Sequence, residues 1–102
     1  MDGEMEGEEG TEAGIVRLVL DVLKPREISL EDLALAVGEV EGVDAVDITV
    51  TEVDSRTETL KISINGEDIS LDDIENVLNE YSTIIRSIDA ISVRRIREKV
   101  EK

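Results

Sequence analysis

The chain has no cysteine, no histidine, no phenylalanine and no tryptophan, and its one proline is Pro25. Without cysteine there is no disulfide, thiolate metal site, iron–sulfur cluster or thiol nucleophile. Without histidine the commonest metal ligand and the usual general base near neutral pH are also gone. Tyr81 is the only aromatic residue, so the core must be built from Ile, Val, Leu and Ala, which suits strands and the helices that cover them. Glutamine is missing too, and asparagine occurs three times. With 36% charged residues, this is the compositional pattern of a thermophile's protein.

What is abundant is negative charge. The net charge is −15 over 102 residues, one domain's worth of chain. Residues 1–12 hold six acids and no base, whereas residues 94–102 hold five bases and two acids. A body this acidic repels phosphate backbones and attracts cations or basic partners. A solvated, soluble surface is the plainer explanation of the same charge. The N-terminus is acidic and lacks an apolar segment, unlike a signal peptide. The longest apolar run, Ile15 to Leu23, is interrupted by Arg17 and Asp21 and is too short to span a bilayer. No membrane association is expected, and the cytoplasm is the default compartment.

Residues 1–12, rich in Gly and Glu with no apolar period, are expected to be a disordered acidic leader. The folded domain is expected over 13–93, with a basic tail over 94–102. Ala13 to Leu23 reads as a strand with Val16, Leu18, Leu20 and Val22 on one face and Ile15, Arg17, Val19, Asp21 and Leu23 on the other. Lys24-Pro25 ends it, and no partner for Lys24 is evident from spacing. Ser29 then serves as an N-cap with Asp32 three residues on and Ile28 and Leu33 at the staple positions. Leu30, Leu33, Ala34, Val37 and Val40 form the helical stripe, and Gly42 is the expected C-cap. Ala45 to Val53 and Thr59 to Asn65 alternate as strands around the loop Asp54–Glu58, and Asn65-Gly66 is read as a turn. A second helix start at Ile69-Ser70-Leu71-Asp72-Asp73-Ile74 repeats the first, with Leu71, Ile74, Leu78 and Tyr81 as its stripe. Ile84 to Val93 is the last strand. Ile84, Ile88 and Ala90 suggest one face and Ile91 and Val93 the other, as a bulge would allow.

Strand–helix–strand, twice over, predicts an α+β ferredoxin-like βαββαβ sandwich: a four-stranded antiparallel sheet with two helices on one face. The open face then carries Ile15, Val19 and Leu23, an apolar patch of the kind that marks an interface. Self-association through that face is favoured over a ligand groove using Arg17, Asp21 and Lys61, because the patch is aliphatic and flat.

Carboxylate pairs arise by chance among 26 acids, and Glu31/Asp32 and Asp72/Asp73 are explained as first-turn acids that complement helix dipoles. Asp44, Asp47, Glu52 and Asp54 lie within one strand and its ends, where an all-oxygen Ca²⁺ or Mg²⁺ site is chemically reasonable. Their spacing does not match the twelve-residue calcium loop, and solvated charge is the weightier reading. No phosphate loop, nucleophile elbow or metal-ligand helix motif occurs, and no organic cofactor is implied. One RNA-binding module shares this topology, but it stacks bases on aromatic residues that are lacking here. Only the basic tail speaks for nucleic acid.

The runs Ile15–Pro25, Glu41-Gly42-Val43-Asp44, Ile48–Asp54 and Ile85–Asp89 resemble a small archaeal family, number 211 in the domain-of-unknown-function series. The resemblance covers about residues 14–95 and implies the ferredoxin-like fold and homo-oligomeric assembly. It implies no activity, so no catalytic residue carries over. Asp21, Asp44, Glu52, Asp54 and Asp89 fall inside the matching motifs. The expected function is a non-catalytic homo-oligomeric binding or regulatory module for a small ligand or divalent cation, with Arg17, Val19, Asp21, Lys61 and Asp89 as ligand or interface residues. A purely structural oligomer is the alternative.

Overall fold

The computed structural model describes residues 11–97. The elements are β1 (Thr11–Pro25), α1 (Leu30–Gly38), β2 (Val43–Val53), β3 (Thr57–Ile69), α2 (Leu71–Glu80) and β4 (Ile84–Arg97). All neighbouring strands are antiparallel, in the order β2-β3-β1-β4, so the βαββαβ sandwich is the observed fold. Among the described residues no helix is long and apolar enough to cross a membrane. Residues 1–10 of the expected leader and 98–102 of the expected tail lie outside the described residues.

Both helices start as their sequences require. The Ser29 hydroxyl accepts a hydrogen bond from Asp32 N at 3.1 Å, and the Ser70 hydroxyl accepts one from Asp73 N at 3.2 Å. Each cap satisfies a backbone donor that the first turn leaves unpaired. α1 packs on β2 and on α2, and α2 packs on β4. Beneath them Leu18, Leu20 and Val22 of β1 and Leu60, Ile62 and Ile64 of β3 are fully buried with Leu33, Val37, Ile74 and Leu78. Paired residues of an antiparallel sheet share a face. The register Leu18↔Ile64, Leu20↔Ile62 and Val22↔Leu60 therefore stacks six aliphatic side chains into one layer.

Bulges shift several residues from the faces that simple alternation assigns. At Val16, β1 slips relative to both neighbours, and β3 answers with Gly66, Glu67 and Asp68, which have no β1 partner, between Asn65 and Ile69. Ile15, expected on the open face, consequently packs against the core, while Val16, expected inside, lies outside the core cluster. Asn65-Gly66 thus does not end the third strand, which runs on to Ile69. Gly66 is required there because a Cβ at that position would overlap the Gly42 carbonyl. Gly42 is not the cap of α1, which ends at Gly38 with Glu39 as its cap; Gly42 instead takes φ +91° in the turn into β2. A second slip at Thr51 puts Val53 opposite Glu58, on the helix side rather than the open face.

The outer strands are longer than alternation alone suggests. Thr11 and Glu12, assigned to the leader, pair with Arg97 and Ile96, which were assigned to the tail. The expected boundaries at 13 and 93 therefore move outward, because each of these segments supplies the other's hydrogen-bond partners. β4 also bulges at Arg86 and Asp89. Its register with β1 puts Ile85, Ile88, Ile91 and Val93 on the helix side and Ile84, Ser87, Ala90 and Ser92 on the open side, which replaces the division expected from the sequence.

Candidate functional site

The open face is built from the alternate residues of all four strands. At its centre Asp21 stands between Lys61 on β3 and Ser87 on β4. Lys61 Nζ donates to Asp89 Oδ2 at 2.9 Å, and Ser87 Oγ donates to Asp89 Oδ1 at 2.8 Å. Asp89 reaches this face because it is the extra residue of a β4 bulge, a placement that period-two alternation could not reveal. Asp21 Oδ1 is closed to solvent and has no hydrogen-bond partner.

The charges reinforce one another. The hydrogen bond and charge of Asp89 raise the Lys61 ammonium above its ordinary pKa, with a smaller contribution from Asp21. The hydrogen bonds from Lys61 and Ser87 lower the Asp89 carboxyl below its ordinary value. At neutral pH the pair is thus an ammonium and a carboxylate. Both shifts run away from the range in which a lysine becomes a base or nucleophile, or a carboxylic acid a proton donor.

Of the expected ligand or interface residues, the structure brings Asp21, Lys61 and Asp89 together. Arg17 is exposed and lies on the same face four residues along β1 from Asp21, about 13 Å away at the rise of a strand. Val19 falls between them, half-buried opposite Ser63 and Ala90. Ser87 was not singled out from the sequence; its only signal there was a polar residue two positions before Asp89.

The expected cation ligands do not converge. Asp44 sits at the start of β2, Asp47 and Glu52 share the open side along it, and Asp54 follows its end. Ten residues of strand separate the first from the last by about 30 Å, whereas calcium–oxygen bonds are about 2.3–2.6 Å. Among the described residues no three Asp or Glu side chains are grouped to hold a metal ion. Asp44 instead borders an open hollow of about 540 Å³ with Glu41, Glu67, Asp68 and Asp73, which concentrates negative charge without forming a ligand shell.

Lys24 is 1% exposed, and its ammonium is fully partnered. It donates to Pro25 O at 2.9 Å and Ile28 O at 2.6 Å, and pairs with Glu58 Oε1 at 3.0 Å. The missing partner was Glu58, across the sheet in the residue register Lys24↔Glu58. Three donors meeting three acceptors make this a structural plug at the end of the core.

The exposed apolar surface lies elsewhere than expected. With Ile15 inside, only Val19 and Leu23 remain of the β1 patch, and both are half-buried. Among the described residues, β4 carries four of the large exposed apolar side chains, Ile84, Ile88, Ile91 and Val93, at 46–58% exposure; Leu30 and Leu35 on α1 and Val50 and Val53 on β2 are exposed as well.

A family model described as "Uncharacterized ArCR", the domain-of-unknown-function family numbered 211, matches residues 16–102. An uncharacterized protein of the archaeon Methanocaldococcus jannaschii is 39% identical over 88 residues, which covers 85% of this chain and 91% of the relative.

Proposed function

The chain belongs to this uncharacterized family, and from that premise we propose that it is a non-catalytic, self-associating module that uses its sheet as a binding surface. The observation that carries the proposal is the outer strand β4, on which four of the six large aliphatic side chains, Ile84, Ile88, Ile91 and Val93, are about half exposed. Aliphatic area left in water is recovered when a partner covers it, at about 25 cal/mol per Å². The pair Lys61–Asp89 supports the non-catalytic part, since both groups are held in their charged forms.

Native mass spectrometry tests the proposal directly. A defined oligomer in the wild type, dissociated by Ile88→Glu with Ile91→Glu, is expected. A wild-type chain that stays monomeric up to high micromolar concentration would sink it.

A ligand reading has one observation in its favour, the solvent-closed and unpartnered Asp21 Oδ1 beside Lys61 and Asp89. A small polar or cationic molecule on the open face would satisfy that oxygen. Binding to the folded state alone must raise the melting temperature. A thermal-shift series with Mg²⁺, Ca²⁺ and small diamines, repeated on Asp21→Asn, therefore separates a ligand-binding oligomer from a purely structural one. If no shift occurs in the wild type, or an equal shift occurs in Asp21→Asn, this cluster is not the binding site.

A further inference from the structure

The two sheet edges carry opposite charge. Among the described residues β2 and β4 are the outer strands, each with one row of backbone donors and acceptors unpaired by another strand. β4 holds Arg86, Arg94, Arg95 and Arg97 against one acid, Asp89, in a protein whose net charge is −15. β2 holds Asp44, Asp47 and Glu52 and no base. We infer that β4 of one copy docks on β2 of the next, so that the assembly is head-to-tail and the sheet runs on from subunit to subunit. This rests on the self-association proposed above and specifies how it occurs.

Strand direction supports this pairing. Each strand is antiparallel to its neighbour in the order β2-β3-β1-β4, so β2 and β4 run in opposite directions within one subunit. Placing a second copy alongside without turning it over brings β4 antiparallel to β2 and keeps all helices on one side. The C-terminal part of β4, with Arg94 and Arg95, then lies along the N-terminal part of β2, with Asp44 and Asp47. Arg86 falls towards Glu52 at the other end. Between them the helix-side residues Ile88 and Ile91 meet the region of Val50, which is itself 37% exposed. Opposite charges across paired strands stabilise, and like charges destabilise.

The two-fold alternatives fare worse on the same grounds. Pairing β4 with β4 opposes two strands rich in arginine, and pairing β2 with β2 opposes two strands rich in carboxylate. A head-to-tail contact also has a geometric consequence: it closes into a ring or continues as a filament, and does not stop at a dimer. Charged residues and bulges are equally the devices by which a monomer protects an edge. What tells against simple protection is that the two edges carry opposite, complementary charge and that the aliphatic row lies between the charged ends.

Charge reversal on each edge tests the mode. Asp44, Asp47, Arg94 and Arg95 are all exposed, so their replacement leaves the core untouched. Asp44→Lys with Asp47→Lys, and separately Arg94→Glu with Arg95→Glu, are expected to lose the oligomer, as measured by light scattering after gel filtration. Combining all four substitutions is expected to restore it, because the reversed edges again attract. Thermal melts by circular dichroism confirm that each variant is folded. An assembled wild type whose single-edge variants both stay assembled, or whose combined variant fails to reassemble while folded, overturns the head-to-tail mode but leaves self-association standing. A monomeric wild type overturns both.

Discussion

Strands β3 and β4 both pair with β1 and both present isoleucines to the helix side. Yet Ile62 and Ile64 of β3 are fully buried, whereas Ile88 and Ile91 of β4 are 46% and 50% exposed. The residue type is the same, so the difference lies in position. β3 is an inner strand, closed on both sides by β1 and β2 and covered from above. β4 is an outer strand of 14 residues, about 46 Å at a strand's rise, and the helix that packs on it has ten residues, about 15 Å long. A helix of that length cannot cover the strand. Two bulges in β4 further break the stacking that a regular register gives β3. Hydrophobicity therefore marks what these residues could bury, and the neighbouring elements decide what they do bury.

The comparison is open to direct attack, beginning where the expected effect is largest. Ile62→Ala should cost about 2–5 kcal/mol, the range for truncating a closely packed aliphatic side chain. Ile91→Ala, the same change on β4, should cost about 1 kcal/mol or less when measured on dilute, unassociated chains. Urea denaturation of both variants checks this, and equal costs would show that β4 is packed as tightly as β3.

A second test sharpens the contrast at the closed end of the β1–β3 pair. Lys24 is buried there, and among the described residues Glu58 is its countercharge. Glu58→Ala leaves that ammonium to two carbonyl oxygens and should destabilise by about 3 kcal/mol, seen as a lowered melting temperature. On β4, Asp89→Ala removes a partner from a lysine that is 48% exposed and solvent-screened, and should leave the melting temperature almost unchanged. If Glu58→Ala proves as mild as Asp89→Ala, Lys24 is not confined as the contacts imply.

The smallest effect is a matter of pH. Asp89 is held below its ordinary value of 3.8, so the Lys61–Asp89 link between β3 and β4 contributes in full above that value. Its contribution is lost as the pH falls through the lowered pKa of the folded state. Lys61 is raised above 10.5, so on that side the contribution holds below 10.5 and is lost as the pH rises through the raised value. A carboxyl-detected NMR titration should give Asp89 a midpoint under 3.8, and Asp89→Asn should return Lys61 towards 10.5. A midpoint at or above 3.8 would mean that β3 and β4 are not bridged here in solution.

Much of the fold was legible because the signals involved are local. The alternation of Leu60, Ile62 and Ile64 with Lys61 and Ser63 reads directly as a half-buried strand, and that is how β3 is placed. Ser29 and Ser70, each followed three residues later by Asp, read as helix starts and cap their helices. Less of the candidate site was legible. Asp21 and Lys61 share a face by simple alternation, but Asp89 joins them only through a bulge, and the carboxylates of β2 spread out because a strand carries its residues apart.

By itself, then, the sequence determined the order of elements, the starts of both helices, the aliphatic layer beneath them and the absence of thiol and imidazole chemistry. Each of these depends on period, capping or composition, which a short stretch of chain expresses without its neighbours. Tertiary structure decided that Ile15 goes inward and Val16 does not, that Lys24 finds Glu58, and that the isoleucines of β4 stay half in water. A bulge, a cross-strand partner and the reach of a covering helix are properties of two segments brought together, and neither segment encodes them alone.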